Sequence, residues 1–163
     1  MGDPVTQIIT PVRLEYTVNP GRAMTRFLTA IAEGRIVGQR CPSCAKVYVP
    51  PRGACPTCGV PTEEEVELGQ NGIVTSFCIN NVPYPGQTIK PPYVSGSILL
   101  EGADIPFLHL VGDVPAYDVR MGMRVEAVWV DPGERGPTVE SIKYFRPTGE
   151  PDADYETFRE HLI

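Results

Sequence analysis

Four cysteines between positions 41 and 58 are the residues of this sequence best suited to chemistry. They form two Cys-x-x-Cys pairs, and each pair can present two thiolates to one metal ion. Two such pairs supply the four soft ligands of a tetrahedral site, which leaves no coordination position open for a substrate. The sequence therefore predicts one structural zinc ion bound by Cys41, Cys44, Cys55 and Cys58.

The residues around the cysteines fit this prediction. Pro42 and Pro56 stand inside the two pairs and stiffen them, and Gly59 follows the second pair, where backbone amides usually turn toward sulfur. A redox-active dithiol and an iron–sulfur cluster remain as alternatives for the same residues. Because a dithiol needs only one pair, the presence of two equal pairs favours zinc.

Composition limits the classes of protein that this chain can form. Its 163 residues suffice for one ordinary domain or two very small ones, and 42% of them are hydrophobic, which provides a core. The net charge of -6 disfavours nucleic-acid binding, since such proteins replace counterions with basic side chains. No run of about 18 apolar residues is present, and the chain starts without a basic, then apolar leader, so we expect no membrane span. Five cysteines, an odd count, fit a reduced, cytoplasmic protein.

The 16 glycines and 18 prolines favour short strands joined by turns over long helices. We therefore predict a mainly β fold in which an N-terminal helix and a zinc ribbon precede a small barrel. Residues 1–18 read as an extended arm, with a disordered tail as the alternative. The predicted segments are the arm at 1–18, a helix at 19–34, the ribbon at 35–60, the barrel at 61–147, and a tail at 148–163 that contains a short helix.

The predicted helix has a clear start, stop and apolar face. Asn19 suits the N-cap, Pro20 the first helical position, and Gly34 the stop. One stripe of apolar residues recurs at helical spacing, and it either packs on the core of this chain or binds a partner. The stripe consists of Met24, Phe27, Leu28 and Ile31.

From Gly72 onward the apolar residues alternate with period two, as in strands with one buried face. Turn residues separate the strands, and five strands of this spacing with a longer connection predict an OB-fold-like barrel. The loop at 81–93 contains several prolines together with Tyr84 and Tyr93, and we interpret it as a binding loop or a stiff surface loop. The strands are expected at 73–79, 93–100, 105–111, 123–130 and 138–145.

Few residues outside the cysteine pairs could act in catalysis. We expect Cys78 to be a buried, inert thiol, His109 to pack within its strand, and His161 to be solvated in the tail. Nothing in the sequence orients Cys78 and His109 as a nucleophile and its base. No nucleophile elbow, phosphate loop or dinucleotide fingerprint is present either, so the sequence predicts a chain without catalytic residues of its own.

Several segments together resemble the DUF35 family of rubredoxin-like zinc ribbon plus OB-fold proteins. The similarity covers about residues 21–147, and the Pro-Pro-Arg sequence between the cysteine pairs makes it more specific than the pairs alone. The segments that carry it are Gly34–Cys41, Cys44, Tyr48–Arg52, Cys55–Cys58, Gly72–Phe77 and Pro91–Val94.

The resemblance implies a function through another protein. Members of this family are typically partners of thiolase-fold enzymes that act on acyl-CoA thioesters, and residues 47–66 and 77–82 look most like the DUF35 part of a steroid side-chain aldolase complex. The chain would then be a non-catalytic subunit of a hetero-oligomer, such as a heterotetramer, with acyl-CoA near the interface. The candidate partner-binding residues are Met24, Phe27, Leu28, Ile31, Tyr84 and Tyr93.

Three other functions stay open at this point. The partner could be a thiolase or a hydroxymethylglutaryl-CoA synthase, which the resemblance also allows. The chain could bind nucleic acid, since Arg35, Arg40, Lys46 and Arg52 cluster near the ribbon, although its net charge disfavours this. It could also bind acyl-CoA without a partner.

Overall fold

A computed structural model describes residues 4–10 and 14–162 of the chain. In these residues one α-helix and three short strands precede five longer strands, which confirms the predicted mainly β fold with a helix, a ribbon and a barrel. The elements are α1 (Gly21–Ala32), β1 (Val37–Arg40), β2 (Val47–Tyr48), β3 (Glu64–Glu67), β4 (Asn71–Asn80), β5 (Tyr93–Leu100), β6 (Phe107–Val111), β7 (Arg124–Trp129) and β8 (Ile142–Pro147).

The first three strands form the sheet of the ribbon. β1 pairs antiparallel with β2 on one side and with β3 on the other. The predicted barrel segment, 61–147, includes β3, but the backbone bonds of this strand to β1 place it in the ribbon sheet instead. β3 lies at the edge of this sheet and is strongly acidic. Its glutamates form ion pairs with arginines from the preceding segments: Arg26–Glu65, Arg35–Glu67 and Arg40–Glu64.

The five later strands close into a barrel in the order β4-β5-β6-β8-β7. Neighbouring strands are antiparallel except β6 and β8, which are parallel and share one residue pair, Val111 opposite Phe145. The strand expected from residue 138 begins only at Ile142, because a 3-10 turn at Val139–Ser141 precedes it. The barrel core contains fully buried side chains from several strands, among them Val74, Ile98, Val125 and Phe145.

A bulge follows Val74 in β4 and changes which face of the strand is buried. Val74 and Thr75 are consecutive residues, yet both are fully buried. Beyond the bulge, Phe77 packs against the core and Cys78 is exposed. The prediction of a buried thiol at Cys78 is therefore wrong, because the extra residue of the bulge moves this side chain to the outer face.

α1 covers one side of the barrel. The Oδ1 atom of Asn19 accepts a hydrogen bond from the Gly21 N–H at 3.0 Å, which satisfies a free donor at the start of the helix. Phe27 and Ile31 are completely buried, and the Phe27 ring meets the edge of Phe107 at a centroid distance of 6.2 Å. Of the two interpretations of the apolar stripe, packing on the chain's own core is the one that these side chains adopt.

The C-terminal tail packs on the barrel. It forms two 3-10 turns, Tyr155–Thr157 and Arg159–His161, in place of the short helix that we expected. Phe158 between them is 2% exposed. The Nδ1 atom of His161 lies 2.8 Å from the backbone oxygen of Asp104 and donates to it, so the prediction of a solvated His161 is wrong. No helix in the described part of the chain has the length and apolarity to cross a bilayer.

Candidate functional site

The four predicted zinc ligands lie together at the tip of the ribbon. Every pair of their sulfur atoms lies within 4.8 Å, and the Sγ atoms of Cys44 and Cys55 are 3.8 Å apart. A tetrahedral zinc ion with Zn–S bonds of about 2.3 Å requires sulfur atoms about 3.8 Å apart. The arrangement therefore fits one zinc ion with four thiolate ligands. Such a closed site is structural and provides no position for a substrate.

Two equivalent turns position these ligands. In the first, the Ala45 N–H donates to the Cys41 carbonyl at 3.0 Å, and in the second the Gly59 N–H donates to the Cys55 carbonyl at 2.9 Å. The first cysteine of each turn is buried and its sulfur accepts a backbone N–H, at 3.4 Å in both turns. Ala45 and Gly59 both have left-handed backbones, with φ of 62° and 69°.

Tyr48 distinguishes the second turn from the first. Its hydroxyl lies 3.2 Å from the Sγ atom of Cys55, and this hydrogen bond lowers the pKa of Cys55 to about 6. The same hydrogen bond raises the pKa of Tyr48. Although the Lys46 backbone lowers the pKa of Cys44, burial and the neighbouring thiols outweigh this effect and raise it to about 11. A bound divalent cation would favour the thiolate form of all four cysteines, because thiolates are the form that ligates a metal.

The predicted partner-binding residues divide into a buried and an exposed group. Phe27 and Ile31 lie in the core, so their side chains are unavailable to a partner, and the assignment of these two residues is corrected. Met24 and Leu28 are partly buried and pack against the same core. The physical reason is that a short amphipathic helix is only marginally stable alone in water and gains its stability by packing its apolar face on the core of the chain.

The loop between β4 and β5 presents the exposed group. Tyr84 is 59% exposed and Val82 is 79% exposed. The side-chain oxygen of Gln87 accepts the Tyr84 N–H at 3.2 Å, and the Gln87 N–H donates to the Tyr84 carbonyl at 3.3 Å, which closes a tight turn. Tyr93 is half-buried as the first residue of β5.

An apolar groove that was not predicted from the sequence lies next to this loop. Ile89, Leu108 and Val139 line a shallow cavity of about 320 Å³, and Leu108 is 69% exposed. A signal for it was present, because both faces of the β6 sequence are apolar, although the outer face of a closed barrel is normally polar. The groove and the loop together form the loop face of the barrel, comprising Val82, Tyr84, Ile89, Leu108 and Val139.

His109 packs between β6 and β8, where these two strands share only one residue pair. Its ring packs against Phe107 and Phe145 at centroid distances of 5.5 and 5.6 Å, as expected for a histidine packed in its strand. The Nε2 atom donates to the Val139 carbonyl at 3.3 Å, so Nδ1 is an unprotonated nitrogen that is buried without a partner. Burial lowers the pKa of His109, which keeps the ring neutral. Because Cys78 lies on the outer face, the two residues do not form a catalytic pair.

A four-cysteine ribbon followed by a closed five-stranded barrel defines the class of zinc ribbon plus OB-fold proteins. Two family models match the chain: the ChsH2 rubredoxin-like zinc ribbon domain at residues 28–64, and the ChsH2 C-terminal OB-fold domain at residues 65–130. These matches cover more than half of the chain. The chain therefore belongs to the DUF35 family of ChsH2-like proteins.

Two curated relatives support this membership. A DUF35 domain-containing scaffold protein of Methanocaldococcus jannaschii is 38% identical over 96 residues, which are 58% of this chain and 67% of that protein. A probable enoyl-CoA hydratase alpha subunit of Thermomonospora curvata is 31% identical over 121 residues. That match covers 74% of this chain but only 36% of the relative, so the relative is a much longer protein.

Two solved structures have the same fold. A chain of the Ltp2-ChsH2(DUF35) aldolase matches with a TM-score of 0.61 and 25% identity, over 82% of this chain and 98% of that chain. A DUF35-family protein of Sulfolobus solfataricus matches with a TM-score of 0.58 and 20% identity, over 78% of this chain and 84% of that chain. The second likeness concerns the fold alone.

Proposed function

We propose that this chain is a non-catalytic accessory subunit of a thiolase-fold enzyme that acts on acyl-CoA thioesters. The observation that carries the proposal is the likeness to the Ltp2-ChsH2(DUF35) aldolase, because nearly the whole of that matching chain is covered. We further propose that the enzyme is a retro-aldol carbon–carbon lyase of steroid side-chain degradation. In this proposal the catalytic residues belong to the partner.

The chemistry of the described residues supports an accessory role. The four thiols occupy a closed metal site, and His109 is neutral and enclosed by two aromatic rings. The loop face nevertheless exposes apolar side chains that a solvated barrel does not need, which supports a role for it in binding. We propose that this face, with Tyr84 and the half-buried Tyr93, contacts the partner near its acyl-CoA entrance.

The proposed assembly is a cytoplasmic hetero-oligomer, with a heterotetramer as the form we expect. Five cysteines without a disulfide fit a reducing compartment. A stable interface buries roughly 1,600 Å² in total. The scaffold description of the Methanocaldococcus relative favours a second candidate function, in which the partner is a thiolase or a hydroxymethylglutaryl-CoA synthase.

The proposal is tested by co-expressing the chain with the thiolase-like protein encoded nearest to its gene. We expect the two to co-purify and to cleave a β-hydroxyacyl-CoA thioester, the substrate type that a retro-aldol reaction requires. Thiolytic or condensing activity in place of cleavage would select the second candidate. Failure to co-purify would refute the accessory role, and tight binding of single-stranded nucleic acid with a shallow salt dependence would favour that alternative.

The contribution of the loop face is tested with two matched tyrosine variants. Tyr84→Ala should weaken co-purification about tenfold or more, because truncating an exposed aromatic anchor removes much of the binding energy. Tyr155→Ala serves as the control, since Tyr155 is similarly exposed, at 52%, but lies on the C-terminal tail. If Tyr84→Ala and Tyr155→Ala bind the partner equally well, the interface lies outside the loop face.

A further inference from the structure

Asp104, in the turn between β5 and β6, bonds to two segments that are far apart in the sequence. Its N–H donates to the Val47 carbonyl at 3.0 Å, and its carboxylate accepts the Val47 N–H at 2.8 Å. Its own carbonyl accepts a hydrogen bond from the Nδ1 atom of His161 at 2.8 Å. One residue of a barrel turn therefore holds a strand of the ribbon and the C-terminal tail at the same time.

The ribbon side of this contact leads directly to the metal ligands. Val47 belongs to β2, a strand of only two residues. The carbonyl of Lys46, the residue before it, accepts the Cys41 N–H at 2.9 Å. The hydroxyl of Tyr48, the residue after it, lies 3.2 Å from the Sγ atom of Cys55. The strand that bonds to Asp104 therefore contacts one ligand of each cysteine pair.

A second contact between this barrel turn and the ribbon tip is apolar. Ile105, which follows Asp104, packs against the buried cluster at the tip. Ordering of a four-cysteine tip is coupled to metal binding, because the thiolates converge only around the ion. Since the turn contacts the tip through both residues, we infer that its position depends on whether the ion is bound.

The two halves of the C-terminal tail depend on different contacts. In the first half, the Ala153 N–H donates to the barrel at the Gly122 carbonyl, at 2.8 Å. In the second half, two 3-10 turns extend over residues 155–161. Such short turns have poor hydrogen-bond geometry, and chain ends stay ordered only where they are tied down. The buried Phe158 ring and the bond from His161 to the barrel turn supply this attachment.

We propose that zinc binding at the ribbon tip controls the docking of the second half of the tail. With the ion bound, β2 holds Asp104 in place, and Asp104 holds His161. Without the ion, residues 155–162 leave the surface of the chain and expose Phe158, while the barrel strands stay folded. This role of zinc extends beyond stabilising the ribbon. It uses only contacts within this chain, so it is independent of the enzyme that the chain assists.

The first test compares the zinc-loaded chain with the same full-length chain stripped of metal by a chelator. Amide hydrogen exchange is followed residue by residue. The amides of Thr157, Phe158 and His161 are bonded within the 3-10 turns and should exchange about tenfold faster or more without zinc. The Ala153 amide is an internal control, because its bond to the barrel should keep its exchange rate unchanged.

The second test uses the reciprocity of coupled equilibria. If zinc favours docking of the tail, then weakening the docked tail must lower the affinity for zinc by the same factor. His161→Ala removes the bond to Asp104 and should raise the dissociation constant for zinc about fivefold or more, as measured by competition with a chelator. Glu160→Ala is the matched control, since Glu160 is an exposed neighbour in the same turn, and its dissociation constant should stay within about twofold of wild type.

Three results would overturn the proposal. One is equal exchange of the three tail amides with and without zinc. Another is the same affinity for zinc in His161→Ala as in the wild-type chain. The third is a loss of protection in β4 to β8 together with the tail when zinc is removed, because general unfolding rather than the Asp104 contact would then release the tail.

Discussion

Two regions of the fold have few backbone pairs of their own: the ribbon tip, and the barrel opening, by which we mean the place where β6 and β8 share one residue pair. They are stabilised by different means. At the ribbon tip, Cys41, Tyr48 and Cys55 form a small buried cluster separate from the main core. At the barrel opening, the two strands share a single residue pair, and His109 fills the gap between Phe107 and Phe145.

This difference determines what each region depends on. The tip has few apolar contacts of its own, so its stability comes from a metal ion that the chain must acquire. The barrel opening is continuous with the main core and depends on close packing around one neutral ring. Loss of the ion should therefore affect the tip locally, whereas a change of charge at His109 should affect the whole fold.

The largest expected effect is at the metal site. Cys58→Ser should abolish zinc binding, because a hydroxyl is a poor ligand for a site built from thiolates. Residues 41–60 should then lose protection from hydrogen exchange, while strands β4 to β8 keep theirs. Metal analysis and exchange mass spectrometry measure the two outcomes.

Cys78→Ser is the control for this experiment, since that thiol is exposed and far from the cluster in the sequence. Retained zinc in Cys58→Ser, iron in the wild type, or loss of protection throughout the barrel would contradict the expected contrast between tip and barrel.

A smaller effect should appear at the barrel opening when the pH falls. The pKa of His109 is lowered in the folded chain by burial, so below the ordinary value of 6.5 the unfolded chain binds a proton that the folded chain does not. Neutral His109 therefore stabilises the folded chain fully above pH 6.5. As the pH falls from 6.5 toward the lowered pKa, the free energy of unfolding decreases by at most about 1.4 kcal/mol per pH unit.

Denaturant unfolding between pH 5 and pH 7.5 measures this slope. His109→Leu should be less stable at pH 7.5, since it loses the bond to the Val139 carbonyl, but its stability should depend less on pH than that of the wild type. Parallel curves for the two proteins would show that His109 does not couple the barrel to pH.

The smallest expected effects distinguish the two turns of the ribbon tip. Both Ala45 and Gly59 adopt left-handed backbones, which cost a residue with a Cβ atom about 1–2 kcal/mol. Gly59→Ala should therefore destabilise the zinc-bound tip by about 1 kcal/mol, and Ala45→Gly should stabilise it by less, because glycine also loses more entropy on folding. The exchange rates of tip amides measure both, and effects of the same sign would refute the equivalence of the turns.

The parts of the fold that were predictable from the sequence are those whose cause is local. The spacing of the cysteine pairs determined the ligand set, and the alternation of apolar residues located four of the five barrel strands closely. The start of the helix was predicted one residue too early, because the N-cap position is occupied by Pro20 without a side-chain hydrogen bond, while Asn19 accepts the Gly21 N–H from just outside the helix.

The parts that were not predictable depend on contacts between distant segments. The bulge after Val74 exists because β4 must follow the curvature of a closed barrel, and no local residue signals it. The assignment of β3 to the ribbon depends on its pairing with β1, which is also non-local. Phe27, one of the candidate docking residues, is buried. This could not be predicted, because the helix sequence alone does not show where the barrel lies.

The packed C-terminal tail has a practical consequence for anyone who shortens or labels this protein. β8 ends at Pro147, which makes it tempting to end an expressed fragment there. Such a fragment would lack the buried Phe158 ring and the bond from His161 to Asp104, the residue whose carboxylate also accepts the Val47 N–H of the ribbon at 2.8 Å. Removal of residues 148–163 would thus remove a contact that helps to hold Asp104 against the ribbon. A cleavable tag is therefore better placed after residue 163.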